Sequence, residues 1–133
     1  MGRIEYKVNE PVRVEDVIRV FRSSGIRRPV DQEERIQQMI DHSHLIISAW
    51  DDEKLIGVAR ALTDFSYCCY LSDLAVDADY QRSGIGVQMI ERVKEKIDEQ
   101  TALILLSAPE AMEYYPKIGF EKIENGFIIK RKW

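Results

Sequence analysis

Two stretches of this chain hold residues whose types and spacing suit chemistry. The first is Gln81-Arg82-Ser83-Gly84-Ile85-Gly86, which follows the apolar Leu74-Ala75-Val76 and leads into a helical pattern. Gly84 and Gly86 lack side chains, so a visiting group can approach their backbone N–H groups closely. A helix also begins with N–H donors that have no intrahelical acceptor, and with the positive end of its dipole. Together these features make an anion site, most naturally one for a phosphate. The second stretch is Tyr114-Tyr115-Pro116-Lys117-Ile118-Gly119-Phe120. A phenol is protonated at neutral pH and can give its proton to a leaving anion. Tyr115 shares a helical face with Met112 and Ile118, so packing competes with proton donation as its role.

The surrounding pattern supplies the elements that must hold these groups. Gly86, Met89, Ile90, Val93 and Ile97 fall on one face of a helix behind the glycines. Upstream, Ile4, Tyr6 and Val8 alternate as a strand, and Val14, Val17, Ile18 and Phe21 mark a helix ending near residue 23. Asp31, with Glu34 at capping-box spacing, predicts the start of a second helix over Ile36, Met39 and Ile40. Segments 45–50 and 55–63 form a hairpin around Asp51-Asp52-Glu53-Lys54, and 69–76 is the strand feeding the glycine loop. The continuous apolar run 102–106 suits a strand parallel to it, reached by a right-handed crossover. Ser107 as cap, Pro109 in the first turn and Glu110 reaching back predict a helix that Gly119 ends. Segments 120–124 and 127–132 flank Asn125-Gly126, a strong hairpin signal. The expectation is an α/β (α+β) fold of about seven strands and four helices in one mixed sheet, with residues 1–133 as a single domain.

Bulk properties narrow the function classes. The chain has 133 residues, 45% hydrophobic and 32% charged, as befits one folded domain with one core. A net charge of −4 argues against a general nucleic-acid surface. No apolar run approaches the ~20 residues of a membrane helix, and the N-terminus has no signal-peptide pattern. Met1-Gly2 is not followed by Ser or Thr at position 6, which is Tyr6, so no myristoylation is expected. Cys68 and Cys69 are adjacent, point to opposite sides of a strand and are read as reduced, which suits the cytoplasm. His42 and His44 have no neighbours that complete a metal shell, so no metal is expected. The glycine loop lacks the Gly-Lys-Ser/Thr ending of a nucleotide-binding P-loop.

The loop, Gln/Arg-x-x-Gly-x-Gly after a strand ending Leu-Ala-Val, resembles the coenzyme A pyrophosphate loop of the GNAT N-acetyltransferase superfamily. Residues 111–120 resemble that family's late helix, with a Tyr four residues before Gly-Phe, and the element order extends the resemblance to nearly the whole chain. The resemblance implies acetyl-CoA as cosubstrate, held between two parallel strands that splay apart, and direct attack of a primary amine on the thioester. It implies that the Leu74 amide stabilises the oxyanion, that Leu74, Ala75 and Val76 contact the pantetheine arm, and that Gln81 and the amides of Arg82, Ser83, Gly84, Ile85, Gly86 and Val87 hold the pyrophosphate. Tyr115 matches the proton donor to the leaving thiolate, and Ser107 matches a cofactor-contacting Asn, beside its alternative role as cap. A base is not assigned: the family's Glu position is Tyr70 here. Arg27 and Arg28 on the loop between the first two helices, with Phe65, Tyr67 and Asp73, are candidates for the acceptor pocket. The acceptor is a small-molecule or peptide amine, and a homodimer is possible. The competing reading is a non-catalytic acyl-CoA-binding regulatory module.

Overall fold

Apolar periodicity decides most of the architecture. In the computed structural model, which describes residues 3–133, strand β1 spans Ile4–Val8 and is followed by helices α1 (Val14–Ser24) and α2 (Glu33–Asp41). Met1 and Gly2, on which the myristoylation reading turned, lie outside the described residues. Strands β2 (Leu45–Asp51), β3 (Lys54–Thr63) and β4 (Cys68–Val76) come next, then α3 (Ile85–Ile97), β5 (Ala102–Ile104) and a short α4 (Tyr114–Lys117). Single 3₁₀ turns occupy Ala78–Tyr80 and Pro109–Ala111. The sheet runs β1-β2-β3-β4-β5. Its first four strands are antiparallel, and β5 lies parallel to β4.

Two apolar layers sandwich the sheet. On one face Val17, Val20 and Phe21 of α1 and Ile36 of α2 pack against Ile46, Leu55, Val58 and Ala75. On the other, Ile85, Met89, Ile90, Val93 and Ile97 of α3 pack against Leu45, Ile47, Ala59, Cys69 and Leu71. The predicted stripes of α1 and α3 thus meet the core. Gly57 lets α3 approach, since a Cβ there would stand 3.2 Å from both Ala49 Cβ and Met89 Cε.

A bulge reorganises β4. Arg60 pairs with Asp73 and Ala61 with Leu71, so Ser72 is the extra residue. Side chains alternate along a strand, and one added residue reverses which parity faces which side. Before the bulge Cys69 and Leu71 face α3; after it Ala75 faces α1 and α2.

The structure corrects several expectations. The sheet has five strands rather than seven. Residues 120–133 form no hairpin: Phe127 and Ile129 lie in open solvent, and a two-stranded hairpin without an apolar face to lie on is marginal. The apolar run 102–106 is a strand only to Ile104. The late helix is broken into a 3₁₀ turn and the four residues of α4, with Pro116 inside it. Asp31 does not cap α2; Gln32 holds that position without a side-chain bond, and Asp31 pairs instead with Arg22 at 3.1 Å. Ser107 does not cap either: the N-cap is Ala108, and Ser107 donates to the Ala108 carbonyl at 2.8 Å.

The β3–β4 turn is organised by Asp64, whose Oδ1 accepts from the backbone N–H groups of Ser66, Tyr67 and Cys68. Donors that favour the charged carboxylate lower its pKa from 3.8 to about 2. A depressed folded-state pKa gives stability that is complete above the unfolded value and lost as pH falls through the folded one. Denaturation across pH 4 to 2 should therefore show stability falling with acidification. Asp64→Asn should flatten that part of the profile. An equal slope in both proteins would show that the turn carries no such linkage.

Candidate active site

The ladder between β4 and β5 covers only Cys68–Ala102, Cys69–Leu103 and Tyr70–Ile104. Beyond Tyr70, β4 continues to Val76 paired with β3 alone. A cleft of about 660 Å³ opens there, between Leu71, Ser72, Leu74 and Val76 on one wall and Leu105, Leu106 and Ser107 on the other. The α1–α2 loop closes one end with Ile26, Arg27 and Arg28, and the first turn of α3 closes the other.

The backbone polarity of β4 follows from one hydrogen bond. Asp77 N donates to Ile56 O at 2.8 Å, which makes that pair a hydrogen-bonded one in the antiparallel ladder. Alternation then makes Val76–Gly57 and Leu74–Ala59 non-hydrogen-bonded pairs, whose N–H and C=O groups point away from β3 and toward the cleft. The Val76 carbonyl accepts from Gln81 Nε2 at 2.9 Å, as this polarity requires. By the same alternation the Ala75 amide faces β3, and its side chain is buried against α1 and α2, so Ala75 does not reach the cleft.

The glycine loop meets the other end. Arg82 (φ 67) and Gly84 (φ 80) both adopt the left-handed conformation, and Gly84 is the N-cap of α3 without a side-chain cap. Successive amides turned this way form an anion-binding concavity that adds to the helix N-terminus. Gly86 leaves room: a Cβ there would stand 3.3 Å from Tyr114 Oη and 3.8 Å from Leu74 Cδ2. Gln81, Arg82, Ile85 and Gly86 line the cleft. Ser83 and Gly84 are exposed beside it, and Val87 is half-buried one residue into the helix. Arg27, Arg82 and Arg131 line the cleft against the single carboxylate of Glu110, in a chain of net charge −4, beside Arg28, whose charge is met by Asp73. That local excess of cations suits a polyanionic ligand.

Tyr114 and Tyr115 both line the cleft. Tyr115 is wedged edge-on between Tyr114 at 5.2 Å and Phe120 at 5.5 Å between ring centroids. Burial pushes its phenol above the ordinary 10.0, Tyr114 adds to the shift, and the Arg28 guanidinium opposes it. Tyr114 is raised by burial as well. Tyr80, also on the cleft wall, donates to Asp51 Oδ2 at 2.6 Å, and that acceptor is the main reason its phenol is pushed up to about 12.

Asp73 is taken away from the acceptor pocket. Its carboxylate is fully buried, with Oδ1 2.5 Å from Arg28 Nε and Oδ2 2.5 Å from Arg60 Nε. Arg28 further donates to the carbonyls of Arg27 and Ser72, each at 2.6 Å. Its guanidinium thus spends three of its five N–H donors on the protein, while Arg27 is the more exposed cation of that loop. Arg60 also reaches Ser72 Oγ at 2.9 Å and, through Nη1, the Met39 carbonyl and Ser43 Oγ at 3.3 Å. Phe65 and Tyr67 are exposed on the β3–β4 turn, outside the cleft lining. The sequence reading missed Arg60; its signal is a lone charge in the apolar strand Leu55 to Thr63, which must be paired when buried. Among the described residues no group of three metal-ligating side chains occurs, and no helix is long and apolar enough to cross a membrane.

Comparison with known proteins agrees with this geometry. Residues 14–130 match the acetyltransferase (GNAT) domain family, and the chain belongs to it. An N-acetyltransferase of Pyropia yezoensis named ycf52, itself uncharacterized, is 25% identical over 93% of this chain and 76% of its own length. The histone acetyltransferase TAP1 of Glycine max is 30% identical, over 57% of this chain and 34% of that protein. A probable acetyltransferase from methicillin-resistant Staphylococcus aureus superposes with a TM-score of 0.81 at 22% identity, covering 97% of this chain and 100% of that one. An aminoglycoside N-acetyltransferase in complex with coenzyme A has the same fold, with a TM-score of 0.73 at 16% identity, covering 100% of this chain and 97% of that one. The molecule is an acyltransferase of α/β fold with a mixed five-stranded sheet.

The buried carboxylate generates a prediction. Removing one partner of a buried ion pair leaves charge uncompensated and costs about 3–5 kcal/mol. Asp73→Asn should lower the urea midpoint by a corresponding amount. A change of under about 1 kcal/mol, typical of exposed pairs, would mean that Arg28 and Arg60 find other partners.

Proposed function

We propose that the chain is a single-domain acetyl-CoA-dependent N-acetyltransferase that moves an acetyl group from the thioester to a primary amine by direct attack. The observation that carries this reading is the joining of two features in one cleft. The outward amides of Leu74 and Val76 run directly into a glycine loop with left-handed residues at 82 and 84. In this reading the amides of residues 82–87 and the Arg82 side chain bind the pyrophosphate, Val76 pairs with the pantetheine arm like an added strand, and Ser107 contacts it from the opposite wall. Acetyl-CoA supplies the activated acyl group. In the same reading the Leu74 N–H stabilises the carbonyl oxygen as it gains charge; one aimed donor of this kind is worth about 3 kcal/mol. Tyr115 gives its proton to the departing thiolate, and its raised pKa keeps that proton in place. Asp73 is excluded as the base by its two guanidinium partners, and the amine's proton leaves to water in the open cleft. The acceptor is a small-molecule or peptide amine, taken from the side of the α1–α2 loop where Arg27 is exposed. Two unpaired cysteines, Cys68 exposed and Cys69 buried, support a reducing, cytoplasmic setting.

Two measurements test this reading. Acetyl-CoA at 100-fold over Kd should stabilise the fold by about 2.7 kcal/mol. Gly86→Asp should abolish the thermal shift, because its side chain would enter the space under Tyr114 and repel phosphate. Equal shifts in both proteins would refute this cofactor site. Tyr115→Phe should keep cofactor binding while single-turnover transfer falls about 10²–10⁴-fold. It should also remove an alkaline limb of the rate profile that lies above the ordinary 10.0 of tyrosine. Tyr114→Phe should cost far less; a rate for Tyr115→Phe within about twofold of wild type would make Tyr115 a packing residue.

A further inference from the structure

The chain beyond Phe120 forms no helix or strand and returns across the molecule to α2. There Arg35, in the first turn of that helix, donates to the Trp133 carbonyl at 3.3 Å. Arg131 lies two residues before Trp133, within about 7 Å of chain, and lines the cleft. It therefore belongs to the α1–α2 end of the cleft, where Arg27 also stands. The loop that carries Arg27 is tied down. The Arg27 carbonyl accepts from Arg28 Nη1 at 2.6 Å, the Val30 amide donates to the Arg28 carbonyl at 2.7 Å, and the Ile26 amide donates to Ser24 Oγ at 3.2 Å. Arg27 and Arg131 are exposed, and among the described residues neither forms an ion pair.

These two cations are surplus to a coenzyme's pyrophosphate. That group has its own donors at the far end of the cleft, in the amides that open α3 and in Arg82. Arg28 is met by Asp73, and Glu110, the one carboxylate of the lining, pairs with neither Arg27 nor Arg131. Two guanidinium groups that face one space without a counter-charge attract an anion and oppose a further cation. The planar fork of each matches a carboxylate, which it can bind through two parallel N–H···O bonds. Ile26 beside them offers apolar surface for a carbon chain.

We infer that the acceptor is an amine that also carries a carboxylate, and that Arg27 and Arg131 hold the carboxylate while the amine faces the thioester. This inference rests on the acetyl-transfer reading of the cleft and names its substrate class. In the transfer the neutral amine nitrogen bonds to the acetyl carbon and the carbon–sulfur bond breaks. The sulfur leaves as a thiol with the Tyr115 proton, the nitrogen gives one proton to water, and Tyr115 recovers its own from water. The product is an N-acetylated acid. An alkylamine without the carboxylate leaves both arginines unpaired, and a diamine brings a second ammonium to them. Arg27 and Arg131 thus set specificity and take no part in bond making.

Steady-state transfer at saturating acetyl-CoA tests it. A series of ω-amino acids is set against the alkylamine and the α,ω-diamine of the same chain length, and α-amino acids against their decarboxylated amines. The carboxylate-bearing member should have the highest kcat/KM of its set, by about tenfold over the uncharged amine and mainly through KM. The diamine should be the poorest, and the differences should shrink as salt rises. Arg27→Gln and Arg131→Gln should each raise KM for the carboxylate-bearing amine about tenfold. Arg27→Glu/Arg131→Glu should reverse the order in favour of the diamine, with the thermal shift by acetyl-CoA kept. Lys130→Glu changes charge in the same direction at a residue outside the cleft lining, and should keep the wild-type order. Uncharged amines or diamines used as well as their carboxylate-bearing partners would overturn the inference and leave the acetyl-transfer reading standing. So would a double variant that keeps the wild-type order, or one that loses acetyl-CoA binding instead, which would assign the two arginines to the coenzyme. No thermal shift with acetyl-CoA, together with no transfer to any amine of the series, would overturn the acetyl-transfer reading and this inference with it.

Discussion

The carboxylate of Asp73 sits between two guanidinium groups, and the cleft depends on that contact. Arg60 comes from β3, Arg28 from the α1–α2 loop, and Asp73 from the residue after the β4 bulge. Arg60 continues to the end of α2 through the Met39 carbonyl and Ser43, so four parts of the chain converge on one buried charge. Desolvating such a group is costly, and the net contribution of a buried ion pair to stability can be near zero. What the arrangement supplies is placement. The bulge residue Ser72 is held twice, its carbonyl by Arg28 and its hydroxyl by Arg60. The Leu74 and Val76 amides are thereby aimed away from β3, because the alternation restarts from a fixed point. A fully satisfied polar network of this kind favours one arrangement over its neighbours in a way that an apolar cluster of similar volume does not.

The cleft also shows how local conformational cost is placed where a ligand would approach. Arg82 is a non-glycine residue in the left-handed region, and Gly84 follows two residues later in the same region. An ordinary turn needs neither in this order. The surrounding anchors are firm: Gln81 grips the Val76 carbonyl, Tyr80 grips Asp51, and Asp77 accepts from the Asp79 amide. The loop is therefore clamped on its strand side and left open on the side of α3, a division that suits a surface built to receive a group rather than to bury one.

Much of this was legible in the residues. The stripes of α1 and α3, the Asp52-Glu53 hairpin turn and the paired motifs at 81–86 and 114–120 depend on local spacing, which a sequence carries directly. The failures share a physical cause, competition from residues distant in sequence or the lack of a partner surface. Asp31 had capping spacing, but Arg22 offered it a charge. Asn125-Gly126 had the right turn chemistry, but its flanking segments found no face to lie on. The face of Asp73 was unreadable because nothing local announces that Ser72 is an extra residue; the bulge exists through Arg28 and Arg60, 44 and 12 positions away. Arg28 lines the cleft, but only the folded chain shows that three of its donors go to Asp73 and to the carbonyls of Arg27 and Ser72.

The bulge also bears on how this strand can change length over evolutionary time. The inner part of β4 belongs to the α3 layer by odd positions, and the outer part belongs to the α1 and α2 layer by odd positions. A single-residue deletion at Ser72 would restore unbroken alternation. It would leave Asp73 on the side of the arginines and Leu74 on the side of α3, and would remove only the carbonyl and hydroxyl that Arg28 and Arg60 hold. A residue added elsewhere in the regular ladder would instead turn the outer half over, presenting Asp73 to the apolar α3 layer and Leu74 to the arginines. Single-residue changes of length within this strand are therefore confined to the bulge, whereas the β3–β4 turn and the α1–α2 loop, free of any such parity, can lengthen one residue at a time.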